Sequence, residues 1–228
     1  MQRQFEHELD EIKRTILAMA GMVERGLLEV TRALTAGDTR AANDVIDMDD
    51  EIDQYEVKID RLATEFIARH QPTATDLRFV IVAIKIGPEL ERIADNAVNI
   101  AERLREVEPA VDRRPKDDLL RMLGLASAMV SDAISAYVER DADAAREIIR
   151  QDDEVDALNW SIFRKMIQLM VEDREIVKRA IDTILVARFI ERIADQATNI
   201  SEEVVYLVEA RPIRHVDQKD WDHGRGPK

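Results

Sequence analysis

The sequence predicts an all-α protein built as two tandem three-helix bundles related by a pseudo-twofold repeat. Three observations carry this. Apolar residues recur in steps of three and four along every long segment. Helix breakers are sparse, with 7 Gly and 6 Pro in 228 residues. One set of acidic motifs occurs twice, at offsets of 103 and 100 residues.

The first helix is read from Phe5, Leu9, Ile12, Ile16, Met19, Val23, Leu27, Val30 and Leu34, one apolar stripe close to a heptad seam. Gly37 stops it, and Asp38 offers an N-cap to the next helix. Val45, Met48, Ile52, Tyr55, Ile59, Leu62 and Phe66 continue as a second helix. His70-Gln71-Pro72 ends that pattern, and Thr75 or Asp76 is placed to cap a third. The third helix runs through Ile84, Leu90, Ile93, Ala97, Ile100 and Leu104, with a kink expected at Gly87-Pro88. Glu106 to Lys116 carries Pro109 and Pro115 among charges and reads as a linker, Pro115 fitting the first turn of the next helix.

Beyond the linker the pattern restarts. Asp49-Asp50-Glu51-Ile52-Asp53 returns as Asp152-Asp153-Glu154-Val155-Asp156. Glu91-Arg92-Ile93-Ala94-Asp95 returns unchanged as Glu191 to Asp195. Over Glu91–Glu102 and its copy, nine of twelve positions are identical, so chance is a poor explanation. Asp38 matches Asp141, and the change of offset falls in the loop between the second and third helices. The organisation is therefore 1–106 for the first repeat, 107–116 for the linker and 117–210 for the second repeat. A tail over 211–228, which lacks a helical period, is expected to be mobile.

Composition narrows the function. The chain has no Cys, which excludes disulfides and thiolate metal sites and fits a reducing compartment. The net charge of −14 repels nucleic acid and anionic lipid, so direct DNA binding is not expected. The N-terminus has no apolar signal region, and the longest aliphatic run, Phe79 to Ile84, is too short to cross a bilayer. A cytoplasmic protein that meets membranes only through its partners is the expectation. Exposed heptad faces suggest a homodimer.

Residues four apart share a helix face. Glu91 and Asp95 form one carboxylate rung with Asn99 a turn on, and Glu191, Asp195 and Asn199 form its copy. On the second helix of each repeat, Asp49 with Asp53 and Asp152 with Asp156 have the same spacing. Like charges so placed destabilise a helix by roughly 0.2–0.5 kcal/mol per pair. A chain that repeats the arrangement in register is a candidate to use it. Carboxylates with an amide oxygen are hard ligands, suited to Mg²⁺, Mn²⁺, Ca²⁺ or iron. Acidic pairs are common in a chain with 47 Asp and Glu, and Asp50, Glu51, Asp153 and Glu154 read as a solvated face. Arg92 and Arg192 are placed to neutralise neighbouring carboxylates. None of the four His, at 7, 70, 215 and 223, completes the Glu-x-x-His spacing of di-iron bundles. No Gly-rich phosphate loop or Gly-x-Ser-x-Gly elbow occurs. The Met19/Met22 and Met166/Met170 pairs read as core filler. A metal-free helical adaptor and a carboxylate-bridged metal-dependent enzyme stand as alternatives to a metal-binding regulator.

The stretch Gln71-Pro72-Thr73-Ala74-Thr75-Asp76-Leu77-Arg78, then Ile84-Lys85-Ile86, then Glu89 to Glu102, resembles the signature of the PhoU family. The copy at Glu191–Asp195 and the opening Phe5-x-x-Glu8-Leu9 fit as well, and the resemblance runs from about residue 5 to 210. Pro88 departs from it mildly. The resemblance implies two three-helix bundles. It implies a negative regulator that acts when phosphate is plentiful, contacting a two-component sensor histidine kinase and the ATPase of the phosphate ABC transporter, and no catalysis. It also implies that the Glu/Asp-x-x-x-Asp motifs hold iron, manganese, magnesium or zinc, without an organic cofactor. Carried over, these are Glu91 with Asp95 and Glu191 with Asp195, with Asp49/Asp53 and Asp152/Asp156 as the facing candidates.

Overall fold

The computed structural model describes residues 2–105 and 115–213. The linker from 106 to 114 and the tail from 214 onward lie outside the described residues. Seven α-helices follow one another: α1 (Gln2–Ala36), α2 (Thr39–Asp47), α3 (Asp49–His70), α4 (Ala74–Arg105), α5 (Lys116–Glu139), α6 (Ala142–Glu172) and α7 (Val177–Glu209). A single 3₁₀ turn, Arg174–Ile176, precedes α7. Helices α1, α2–α3 and α4 pack as one bundle, and α5, α6 and α7 as the other.

The helix ends repeat as faithfully as the motifs. Gly37 takes φ 65°, and its N–H closes α1 on the Ala33 carbonyl at 2.9 Å. Arg140 does the same service for α5 at φ 58°, a conformation that favours Gly but admits a surface residue. The Asp38 carboxylate accepts from the N–H groups of Arg40 and Ala41, and that of Asp141 accepts from Asp143 and Ala144. Each satisfies donors that a helix start leaves open.

Two local expectations are corrected. The second helix of the first repeat is not continuous but breaks at Met48, between α2 and α3. The apolar period runs across the break because Val45 and Ile52 still point inward. The break places Asp49, Asp50 and Glu51 in the first turn of α3, where a helix N-terminus favours negative charge. In the other half α6 runs unbroken through Asp152–Glu154. The second correction concerns α4. It starts at Ala74, so Thr75 and Asp76 lie inside its first turn rather than at its cap. Gln71 in the left-handed region and Ala74 at φ 48° have already turned the chain by then. The Thr75 hydroxyl instead accepts from Arg78 at 3.2 Å. Pro88 lies inside α4, which runs on through it without a break. Gly87 is buried there against α3, where an added Cβ would stand 3.5 Å from Glu56 Cγ.

The predicted seam of α1 is the core, with Ile12, Ile16, Met19, Val23, Leu27, Val30 and Leu34 all buried. Helix α5 has the length and apolarity of a membrane span, but Leu119, Met122, Leu123, Ala126, Met129, Val130 and Ala133 are fully buried among its neighbours. It is the core helix of the second bundle. Met166 is buried and Met170 packs on the core, as expected of filler. Ile213, at the start of the expected tail, is also buried.

The two bundles meet along α4 and α7, and along α1 and α5. Helices α4 and α7 are antiparallel. Lys85, early in α4, reaches Glu203, late in α7, at 2.8 Å. Arg103, late in α4, reaches Asp182, early in α7, at 3.1 Å. Midway, the amides of Asn96 and Gln196, which are repeat equivalents, meet at 3.4 Å. The pseudo-twofold axis therefore passes beside this pair. Both cations belong to α4 and both anions to α7, so the halves are complementary rather than interchangeable.

Candidate functional site

The carboxylate motifs lie where the second and third helices of each repeat pack together. In the first half, α3 presents Asp49 and Asp53 to Glu91 and Asp95 of α4. The charges of these groups act on one another across the seam. Asp49 is driven above the ordinary Asp value by burial, then by Asp95 and Asp53. Asp95 is raised by burial and then by Asp53. Glu91 is raised to about 7, by burial first and then by Asp95, Glu56 and Asp53, against the opposing pull of Arg92. Glu56 thus belongs to the cluster, and its own carboxyl is raised by burial, Asp53 and Asp60. The motif reading missed it because its repeat equivalent is Asn159. Its signal was the step of three from Asp53, which continues the acidic face of the helix.

In the second half, α6 presents Asp152 and Asp156 to Glu191 and Asp195 of α7. Asp152 is raised to about 7, by burial and then by Asp195, Asp156 and Glu191. Asp195 is raised to about 6, by burial, Glu191 and Asp156, with Arg188 and Arg192 opposing. Two oxygens here, Asp152 Oδ1 and Glu191 Oε2, are buried without a hydrogen-bond partner. An unsatisfied buried carboxylate oxygen costs about 1–3 kcal/mol or more, so the site gains by acquiring a proton or a cation.

The structure thus brings together Asp49, Asp53, Glu91 and Asp95, and separately Asp152, Asp156, Glu191 and Asp195. The two asparagines turn elsewhere. Asn99 donates its amide to the Asp95 carbonyl at 2.7 Å, and Asn199 donates to Glu89 of α4 at 3.2 Å. Arg92 pairs with Glu89 at 3.2 Å, outside the first cluster, and Arg192 lies over the Phe189 ring. Asp50, Glu51, Asp153 and Glu154 are exposed, as a solvated face should be. His70 is occupied at the far end of α3, its Nε2 2.8 Å from Glu8 Oε2.

The donor set fits a hard cation. It is all oxygen and partly desolvated, and each cluster draws carboxylates from two helices. Among the described residues no three His, Asp or Glu side chains gather closely enough to hold an ion as they stand. Binding therefore requires the carboxylates to draw together, which long Glu side chains at a helix seam can do by changing rotamer. Glu91 or Glu191 would supply the flexible ligand and the aspartates the fixed ones.

Comparison with known proteins places the molecule. The PhoU domain profile matches twice, over residues 16–104 and 119–204, one match per bundle. The chain is 36% identical over 220 residues to the phosphate-specific transport system accessory protein PhoU of Escherichia coli K12, covering 96% of this chain and 91% of that one. It is 32% identical over 210 residues to the PhoU homolog of Clostridium acetobutylicum, covering 92% and 96%. The crystal structure of PhoU from Pseudomonas aeruginosa superposes with a TM-score of 0.87 at 34% identity, over 90% of this chain and 99% of the other. That of the phosphate transport system regulatory protein PhoU from Streptococcus pneumoniae gives 0.85 at 26% identity, over 91% and 98%. Two matched domains, like sequence across nearly the whole length and the same tandem bundles make this chain a member of the PhoU family.

Proposed function

We propose that this protein is a regulatory accessory protein of phosphate transport, a cytoplasmic, non-catalytic adaptor between the ATPase of a phosphate ABC transporter and a sensor histidine kinase. It restrains uptake and signalling when phosphate is plentiful, and metal ions at the two carboxylate clusters set its shape. The observation that carries the metal half is the pair of orphaned oxygens, Asp152 Oδ1 and Glu191 Oε2, inside a cluster that repels itself. The adaptor half rests on the names of the relatives, which are accessory and regulatory proteins.

The chemistry follows from charge. A bound Mn²⁺, Mg²⁺, Zn²⁺ or iron would neutralise carboxylates drawn from α3 and α4, or from α6 and α7. It would fasten the second helix of each bundle to the third. The outer surface of those helices is then held in one arrangement. A partner that prefers that arrangement binds more tightly when the ions are present, because a ligand shifts an equilibrium only through differential affinity. The clusters hold carboxylates alone, and Arg92, Arg188 and Arg192 flank them.

Elemental analysis by mass spectrometry, on protein purified without an affinity-metal step, tests the metal. Near-stoichiometric metal that disappears in Asp95→Lys and Asp195→Lys is expected. Unchanged metal content in those variants would sink the assignment. Binding of the full chain to the purified ATPase and to the kinase's cytoplasmic portion, with and without chelator, tests the adaptor. Weaker binding after chelation is expected. Binding indifferent to chelator leaves a metal-free adaptor, and no binding to either protein removes the adaptor reading.

A further inference from the structure

Helix α6 carries two apolar seams. Val155, Ile162 and Met166 face the core and are buried. Trp160, Phe163, Ile167 and Val171, again three and four apart, remain 65%, 38%, 43% and 82% exposed. Across the crevice, α7 adds Val177 and Ile181, also exposed. The Trp160 and Phe163 rings meet edge to face, 5.8 Å between centroids. Ile184 lines the groove between the helices, and Asp156, Arg188 and Glu191 line its polar end. One seam suffices to hold a helix in a bundle, so the second has another use. The first half lacks it: the equivalent positions on α3 are Val57, Asp60, Thr64 and Ala68. Contiguous exposed apolar surface with aromatic residues marks an interaction site.

Charge selects the occupant. Asp156 and Glu191 line the groove, with Asp152 and Asp195 behind them in the same cluster. Arg188, 3.9 Å from Glu191, offsets one of these carboxylates, and Arg192 bears on Asp195. The remaining negative charge faces outward beside the aromatic pair. Two copies of a chain with net charge −14 repel each other, and so does an anionic bilayer. We propose that the α6–α7 groove docks a cationic amphipathic helix of a partner protein. Its apolar face would lie on Trp160, Phe163 and Ile167, and its Lys or Arg side chains would reach Asp156 and Glu191. This is helix-in-groove recognition, with apolar anchors for affinity and a charged end for register. It builds on the adaptor reading by naming a surface for a partner, and it needs no metal.

A dye-labelled Leu/Lys helix of roughly 18 residues, long enough to span the stripe, is a direct probe. It is titrated onto the full chain carrying Trp221→Phe, so that Trp160 alone reports. The expected result is saturable binding with a blue shift of Trp160 emission, weakened by salt. Ile167→Glu and Phe163→Asp should each weaken binding by about tenfold or more, as loss of a central anchor does. Val57→Asp, on the equivalent face of the first half, should leave it unchanged. All of these positions are wholly or partly solvent-exposed, and circular dichroism confirms that each variant is folded. Equal binding of a Leu/Glu helix, equal binding of a scrambled Leu/Lys peptide, or no effect of Ile167→Glu overturns the proposal. So does a sedimentation experiment in which Ile167→Glu turns a dimer into a monomer, which would assign the face to a second copy. Failure here leaves the ATPase and kinase binding tests untouched, so the two readings fail separately.

Discussion

The two bundles share their apolar pattern and differ in their acids. Asp49 and Asp152 occupy the same place in the repeat, yet their surroundings diverge. Asp49 stands at the start of α3, just after the Met48 break, among the N-terminal N–H groups of a new helix. Asp152 stands in the middle of α6, where every backbone N–H is already engaged, and one of its oxygens has no partner. Burial is the leading cause of both shifts, but only Asp152 is carried to about 7. The first cluster spreads its charge over one more carboxylate, Glu56, while the second has Asn159 there and an aromatic stripe beside it. An identical motif thus acquires different proton affinity from the position of a helix end. A duplicated site need not be a duplicated function.

The comparison is broken most forcefully in the core. Ile93 and Ile193 are repeat equivalents, and both are fully buried. If the halves share their packing, Ile93→Ala and Ile193→Ala should each destabilise by about 3 kcal/mol, the usual range for such a truncation being about 2–5. Chemical denaturation measures this. Losses that differ by more than about 1 kcal/mol would mean that the bundles are packed to different standards and that the acids are not their main difference.

Much of this was legible in advance, and the exceptions have physical causes. The stripe of α1, the repeat, the caps at Asp38 and Asp141 and the facing of the carboxylate helices follow from period and spacing, which are local. The Met48 break is invisible to period because Val45, Met48 and Ile52 keep the three-four rhythm across it. Asn99 and Asn199 share a helix stripe with the rungs, yet a short amide can bond its own backbone or a neighbouring helix instead of completing a site. Their hydrogen bonds show that choice, and spacing does not encode it. The Trp160–Val171 stripe was written in the sequence as a second seam on one helix. It goes unnoticed when only the better seam is traced. Which of two seams turns inward is settled by the third helix, not by α6 itself.

A smaller effect sharpens the contrast between the clusters. The raised value of Asp152 means that the folded protein holds a proton there which the unfolded chain releases at the ordinary Asp value. The folded state is therefore favoured at acid pH. That advantage is lost as pH rises from about 4 to about 7, and remains lost above. Asp152→Asn removes the titrating charge and should stabilise the metal-free protein by about 1–2 kcal/mol at pH 8, a shift well discounted for the residual solvent around it. At pH 5 the variant should gain little. Asp49→Asn should gain less at either pH, since that carboxylate also serves the N-terminus of α3. Thermal melts at the two pH values, in chelator, measure both. Added Mn²⁺ should raise the melting temperature of the parent protein at pH 8 and leave that of Asp152→Asn nearly unchanged. Equal pH slopes for the two variants would mean that the Met48 break does not distinguish the clusters.

The smallest effect lies at the caps, where the halves come nearest to being the same. The Asp38 carboxylate accepts from Arg40 N at 2.9 Å and from Ala41 N at 3.4 Å, whereas Asp141 accepts from Asp143 N and Ala144 N at 3.0 and 2.9 Å. The second cap holds both donors at full hydrogen-bond distance, and the first holds one. Asp141→Ala should cost about 1 kcal/mol and Asp38→Ala about half of that, within the range for a lost N-cap. The consequences differ in reach as well as size. Asp38 starts a helix of 9 residues that ends at Met48, so its loss should loosen α2 alone. Asp141 starts a helix of 31 residues whose second cluster sits about three turns further on, and whose core contacts with α7 hold the rest in place. Hydrogen exchange should therefore show fast amides over Thr39–Asp47 in Asp38→Ala, and over the first turn of α6 only in Asp141→Ala. Loss of protection that spreads through Asp152 in the second variant would show that this cluster depends on the helix start after all. The two halves would then differ in degree and not in kind.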